Sequence, residues 1–295
     1  MRLGLKIDVD TYRGTREGVP RLLELLKKHG AGATFLFSLG PDHTGRALRR
    51  VLRPGFFAKV SRTSVLEHYG VRTLLYGTVL PGPDIGRRCA DVMRAVRDAG
   101  FEVGVHCWDH VRWQDHVARR DADWTEREME RACQRYAEVF GEAPRTWGAA
   151  GWQLNRHAAW YEERHFAYAS DTRGTTPFRP LWDGVAIGCP QLPTTLPTLD
   201  ELIGLREDVV QHLLALSAHG PRDHVFTAHA ELEGGKLTAM FDALLAGWKA
   251  QGYELVALEA LYRTLDLAHL PRCEVVQGMM PGRSGTLAVQ KEALA

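Results

Sequence analysis

Along this chain the apolar residues alternate between two spacings, every second position and every third or fourth, and the places where one gives way to the other predict the elements. The run Leu3-Gly4-Leu5-Lys6-Ile7 opens a strand over 3–9, a helix follows over 19–28 with Gly30 closing it, and a second strand is expected over 33–38. Ile85, Cys89, Val92 and Val96 mark one face of an amphipathic helix that ends at Gly100 and hands over to a strand over 101–106. Thr125 and Glu128 have capping-box spacing and predict the start of a helix running to Phe140. Further strands are expected over 145–150, 166–170, 185–189, 224–228 and 253–257, with helices over 207–217 and 236–251 separating the last three. Strands that alternate with helices in this way imply an α/β fold with a mostly parallel sheet, closed as a barrel. No internal repeat is present, and from Pro271 the periodicity stops among Gly278, Pro281, Gly282 and Gly285, so 271–295 reads as a flexible C-terminal tail after a domain of residues 1–265.

One stretch breaks the rhythm. The connection between the second strand and the helix near Asp84 is far longer than such connections usually are, and long insertions of this kind tend to be functional. Within it, Arg46, Arg49, Arg50, Arg53, Lys59 and Arg62 are interleaved with Leu48, Val51, Leu52, Phe56, Phe57 and Val60, and no acid intervenes. Such a mixture suits an insertion over 43–80 that lies on anionic lipid, with Arg49, Arg50 and Arg53 at the headgroups and Phe56 and Phe57 in the acyl boundary. A solvated helix-loop-helix would explain the same residues, since Pro54-Gly55 interrupts the pattern.

Composition narrows the picture further. A formal net charge of +1 gives no electrostatic reason to expect a nucleic-acid partner. The start of the chain enters a strand without the apolar run and cleavage site of a secretory signal, and no stretch is apolar enough to span a bilayer. The cysteines at 89, 107, 133, 189 and 273 are odd in number and never form Cys-x-x-Cys, which fits reduced thiols in a cytoplasmic protein.

The candidate chemistry lies in two short clusters. Asp8 and Asp10 project from one strand face, where two carboxylates repel unless one binds a cation, and the other is then free to serve as a general base. His106 and His110 share a face if a helix turn begins at His106, which brings two imidazoles to one metal. Two histidines and one carboxylate leave coordination open for water or substrate, as catalysis requires. Each half also has a plainer reading. A strand-end Asp pair commonly serves turns and helix caps, and 13 histidines produce some i,i+4 pairs by chance. Both clusters nevertheless sit where a strand gives way to a loop, the edge at which α/β active sites lie. Cys107, between the two histidines, is expected to pack with its thiol away from their shared face.

Asp8-Val9-Asp10, His106-x-x-x-His110 and Thr227-Ala228-His229 together resemble the signature of the NodB-type polysaccharide deacetylases, carbohydrate esterase family four. The block Ile7 to Pro20, the run Ala149-Ala150-Gly151-Trp152, Pro177-Phe178-Arg179-Pro180-Leu181 and His229-Ala230-Glu231-Leu232-Glu233-Gly234 are closer still to the branch that deformylates a lipid-linked formamido sugar, over 2–265. That resemblance implies a distorted parallel (β/α) barrel and metal-dependent removal of the N-formyl group from undecaprenyl-phosphate-linked 4-deoxy-4-formamido-L-arabinose. The products would be formate and the amino-sugar lipid used to mask lipid A phosphates, which confers resistance to polymyxin-type cationic peptides. It also implies that Asp10, His106 and His110 hold one divalent metal, with zinc, cobalt, manganese or nickel all suited to such ligands. By the same resemblance Asp8 is the base, His229 the general acid and Asp171 the acid that orients His229. The third motif departs from the wider family. Its arginine is absent, and Arg145 stands too early to contact Asp8. The small residues before Trp152 are expected to bring backbone N–H groups near the metal, and Trp152 to wall the sugar site, although a core tryptophan reads equally well. Arg13 and Arg16 precede a helix N-terminus and are candidates for the sugar-linked phosphate, with Arg173 and Arg179 as rivals.

Two other functions remain open on sequence. A deacetylase of chitooligosaccharide or peptidoglycan would use the same metal and base, but the lack of a signal sequence disfavours an extracellular polymer. A non-catalytic sugar- or metal-binding module at the membrane surface would have no need of both Asp8 and Asp10.

Overall fold

The computed structural model describes residues 1–47, 70–220 and 222–291. Its frame is one parallel sheet built from β1 (Arg2–Val9), β2 (Thr34–Ser38), β3 (Glu102–Cys107), β4 (Thr146–Trp147), β5 (Tyr168–Ala169), β8 (His224–His229) and β9 (Glu254–Val256). The strand order is β5-β4-β3-β2-β1-β8, with β9 continuing alongside β1. The sheet curls until an irregular segment bridges its two edges. Ala169 N–H donates to Pro190 O at 2.9 Å on one side, and Thr195 N–H donates to Val225 O at 3.0 Å on the other. The result is a distorted parallel barrel, closed in part by residues that are not strand.

Helices pack around the outside: α1 (Val19–His29), α2 (Ala90–Asp98), α3 (His110–His116), α4 (Ala122–Phe140), α5 (Arg156–His165), α6 (Val209–Ala218) and α7 (Thr238–Ala250). β1 sits centrally and is buried from Leu3 to Val9, with Leu3, Leu5, Ile7 and Val9 on one face and Gly4, Lys6 and Asp8 on the other. Gly30 ends α1 at φ 61°, the left-handed C-cap its position implied. The capping-box reading at Thr125 is corrected, because α4 begins earlier: Asp121 caps it by accepting Trp124 N–H at 2.9 Å, and Thr125 lies inside the helix.

The expected tail is also corrected. β10 (Arg272–Met279) and β11 (Thr286–Gln290) form an antiparallel hairpin, and β10 pairs with β6 (Arg179–Trp182), which pairs in turn with β7 (Val185–Ala186). The Gly- and Pro-rich stretch read as the start of disorder is the hairpin connection, with Gly282 at φ 80° and Gly285 at φ 83°. Cys273, Val275, Leu287 and Ala288 are buried by this second sheet. Arg49, Arg50, Arg53, Phe56 and Phe57 lie outside the described residues. No helix among the described residues is long and apolar enough to cross a membrane.

Candidate active site

Strand register assembles the site. β1 and β8 are parallel neighbours with Asp8 directly opposite His229, and Ala230 N–H donates to Asp8 O at 2.9 Å. Beyond β2 the pairing with β3 skips a residue, from Phe37↔Val105 to Ser38↔Cys107. His106 is the extra residue at that irregularity, a device that re-aims a side chain next to a site. The expectation of one helix turn holding both histidines is therefore corrected, since His106 belongs to β3 and His110 is the first residue of α3. Asp109 fixes the start of that helix, accepting Arg112 N–H at 3.0 Å on Oδ1 and meeting His43 Nδ1 at 2.6 Å through Oδ2. Cys107 is buried and packs with its sulfur 3.3 Å from Ser38 Oγ, and burial pushes its thiol well up.

Asp10, His106 and His110 converge. His106 Nε2 lies 3.2 Å from Asp10 Oδ1, and His110 Nε2 lies 3.3 Å from Asp10 Oδ2. One ligand atom from each of the three falls within 4.8 Å of the others. Burial works against the Asp10 charge, but His110 and His106 outweigh it and hold the carboxyl below the usual carboxylate range. His106 Nδ1 donates to Gly148 O at 2.6 Å, which fixes the tautomer and turns Nε2 to the centre. Asp8 Oδ1 and Asp10 Oδ1 are buried and accept no hydrogen bond among the described residues. Orphaned carboxylate oxygens beside two imidazoles, that of His106 oriented through Gly148, fit a divalent cation.

Asp8 has a partner the sequence reading missed. Lys6, wholly buried, places Nζ 3.4 Å from Asp8 Oδ2 and donates to Ser170 O at 2.8 Å. It supplies the cation that the third motif lacks, whereas Arg145 pairs at 3.5 Å with Glu259 on the surface. The signal was present in the sequence: a lysine two residues before Asp8 shares its strand face and interrupts an apolar run.

His229 is buried, and its charge contributes to holding Asp10 down. Its backbone N–H donates to Glu233 Oε2 at 2.7 Å, while Nδ1 has no hydrogen-bond partner among the described residues. Burial pushes the Glu233 carboxyl up to about 8. The expectation that Asp171 orients His229 is likewise corrected. The Asp171 oxygens accept Ala149 N–H at 2.6 Å and Gln191 Nε2–H at 2.7 Å, so it anchors the third-motif loop from behind. Gly148 N–H is likewise committed, to Val105 O at 2.9 Å, so neither Gly148 nor Ala149 offers the spare oxyanion donor expected of that loop. Glu231, another residue missed, gathers the first motif by accepting the N–H groups of Asp10 and Thr11 and the Thr11 hydroxyl at 2.7–3.0 Å.

The four candidate arginines separate. Arg13 pairs with Glu17 at 3.0 Å and lines a 180 Å³ pocket with Thr11, Glu17, Arg21, Glu231 and Lys236. Arg16 instead pairs with Asp91 at 2.7 Å on the surface, and Arg173 is buried with its guanidinium 2.5 Å from Glu201. Arg179 belongs to β6 in the second sheet. Trp152 is buried with its ring edge-on to His229, centroids 6.1 Å apart, so it combines a core position with a wall of the site.

Known proteins resemble this chain over most of its length. The family model described as polysaccharide deacetylase matches residues 8–166. A protein of Shewanella sediminis named a probable 4-deoxy-4-formamido-L-arabinose-phosphoundecaprenol deformylase is 36% identical over 98% of this chain and 94% of its own length. A namesake from Wigglesworthia glossinidia brevipalpis is 29% identical over 95% of this chain and 99% of its own. The crystal structure of a Mycobacterium smegmatis protein ascribed to the polysaccharide deacetylases shares the fold, with TM-score 0.62 at 16% identity, covering 94% of this chain and 95% of that one.

Proposed function

The chain belongs to the polysaccharide deacetylase family, and from that premise we propose that it removes the N-formyl group of undecaprenyl-phosphate-linked 4-deoxy-4-formamido-L-arabinose. The observation that carries the reading is the pairing of Asp8 and His229 on neighbouring strands, beside the Asp10, His106 and His110 cluster. Near-full-length likeness to two proteins named for that deformylation supports the substrate.

A divalent cation held by Asp10, His106 and His110 would polarise the formyl carbonyl and acidify a water. Asp8 Oδ1, free of other hydrogen bonds among the described residues, takes the proton of the attacking water. Lys6 keeps that carboxylate in place through its contact with Oδ2. His229 delivers a proton to the departing amine from the adjacent strand, since an unprotonated amine is a poor leaving group. The buried Trp152 ring packs against His229 on that side of the site. The sugar-linked phosphate fits the pocket that Arg13 shares with Arg21 and Lys236.

The lipid tail confines the substrate to a bilayer, so the enzyme meets it at the cytoplasmic membrane face, with the basic insertion as the element that docks on anionic lipid. Formate release from the lipid-linked sugar, followed before and after chelation and after return of one equivalent of zinc, cobalt, manganese or nickel, tests the proposal. Activity is expected to vanish with the metal and to return with it. Chelator-insensitive turnover, or acetate released from chitooligosaccharide in place of formate, would refute it.

A further inference from the structure

The C-terminal hairpin, which lies outside the part of the chain matched by the family model, reaches the acid side of the site. β11 is bonded to the loop after β5: Arg173 N–H donates to Ala288 O at 3.0 Å and Gln290 N–H donates to Arg173 O at 2.8 Å. The connection before β11 carries Arg283 over the Trp152 indole, 4.6 Å from its centroid, and its Nε donates to Glu201 Oε1 at 2.9 Å. That same oxygen accepts Arg173 Nη1 at 2.5 Å, and the Arg173 guanidinium also lies over Trp152, at 5.3 Å. Lys6 Nζ adds a third cation at 5.3 Å. At Gly282, φ is 80° and a Cβ would stand 2.2 Å from Glu201 O, so the hairpin is pressed against the Glu201 turn at the point where Arg283 enters.

What these cations hold is strained. Trp152 adopts φ 52°, a left-handed conformation that costs a bulky residue energy and persists only where the surroundings over-determine it. Its indole connects through Thr194 to the strand that bears His229. Nε1 donates to Thr194 Oγ1 at 3.2 Å, Thr194 Oγ1 is 2.7 Å from Thr227 Oγ1, and the ring edge meets the His229 imidazole. Among the described residues, the His229 Nδ1 has no hydrogen bond to fix the ring, so its orientation rests on packing, and Trp152 is the aromatic that packs on it.

We propose that Arg283 is a positioning residue for the general acid: it clamps Trp152 in its strained conformation and thereby holds the His229 imidazole at the angle needed to reach the departing amine. The hairpin is in this sense a part of the catalytic site supplied by the far end of the chain. The proposal rests on the acid role given to His229 above.

The test is a double-mutant cycle of Arg283→Ala and His229→Ala on the metal-loaded protein, with Arg283→Lys as the conservative variant. Arg283→Ala should lower kcat about 10- to 100-fold, as expected for a displaced catalytic group, with KM and metal content little changed. Lys at 283 should restore most of the loss, because a cation remains over the indole. Adding Arg283→Ala to His229→Ala should cost almost nothing further. The same fold-loss in both backgrounds, or Arg283→Lys as slow as Arg283→Ala at an unchanged melting temperature, would overturn the proposal. If wild-type protein releases no formate, the deformylase reading fails by itself, and the cycle is read on a chitooligosaccharide as substrate.

Discussion

Lys6 and Asp8 are a buried ion pair toward the C-terminal end of β1, an arrangement that contributes little to stability because desolvation offsets the attraction. The proposed chemistry gives it a use, since the lysine holds Asp8 while leaving one carboxylate oxygen open. Lys6→Met should therefore lower kcat about 10- to 100-fold, with Lys6→Arg retaining more activity and metal content unchanged in both; steady-state kinetics with metal analysis checks this. A second buried pair carries a pH dependence. Burial first, and then the neighbouring Asp171, push the Glu162 carboxyl well above its ordinary 4.5, and burial raises Asp171 as well. The folded state keeps a proton that the unfolded chain releases above its own carboxylate range, so stability falls as pH rises from there toward the folded value. Glu162→Gln removes that term, and melting curves across pH should show the variant gaining on wild type as pH increases. Local spacing made Asp8, Asp10, His106 and His110 legible in the sequence. Lys6 looked like an interruption, and Asp171 was given the wrong partner because its true ones, Ala149 and Gln191, meet it only through the tertiary fold.

At the scale of elements, the strand-to-loop edges were readable because apolar periodicity changes sharply there. The strand end expected at His106 falls one residue later, at Cys107, and the geometry of the pair with His110 depends on a register shift opposite Ser38, which single-chain spacing does not encode. The hairpin was misread for a related reason. Glycine and proline mark a tight connection as readily as they mark disorder, and only pairing with β6 distinguishes the two. The basic insertion is argued from composition alone. If it docks on lipid, protein with Arg49, Arg50 and Arg53 changed to Ala should lose flotation with anionic vesicles while keeping its turnover of detergent-solubilised substrate; unchanged flotation would remove the membrane role.

The whole molecule brings residues from opposite ends of the chain to one centre by parallel register. β1 carries Asp8 and β8 carries His229, the base and acid of the proposed mechanism, β3 and the start of α3 bring His106 and His110, and the last hairpin lays Arg283 over Trp152. Fold class was legible because strand-helix alternation admits few parallel solutions. Closure through the irregular residues 190–196 was not, since that segment carries no strand pattern of its own. The central claim is that Asp8 acts as base beside a metal held by other residues. Formate release from the N-formyl lipid-linked sugar, measured for wild-type and Asp8→Asn protein each carrying one equivalent of metal, tests it most directly. The account predicts full metal occupancy in both and a kcat lower by about 100-fold or more in the variant; equal turnover, or loss of the metal on substitution of Asp8, would contradict it.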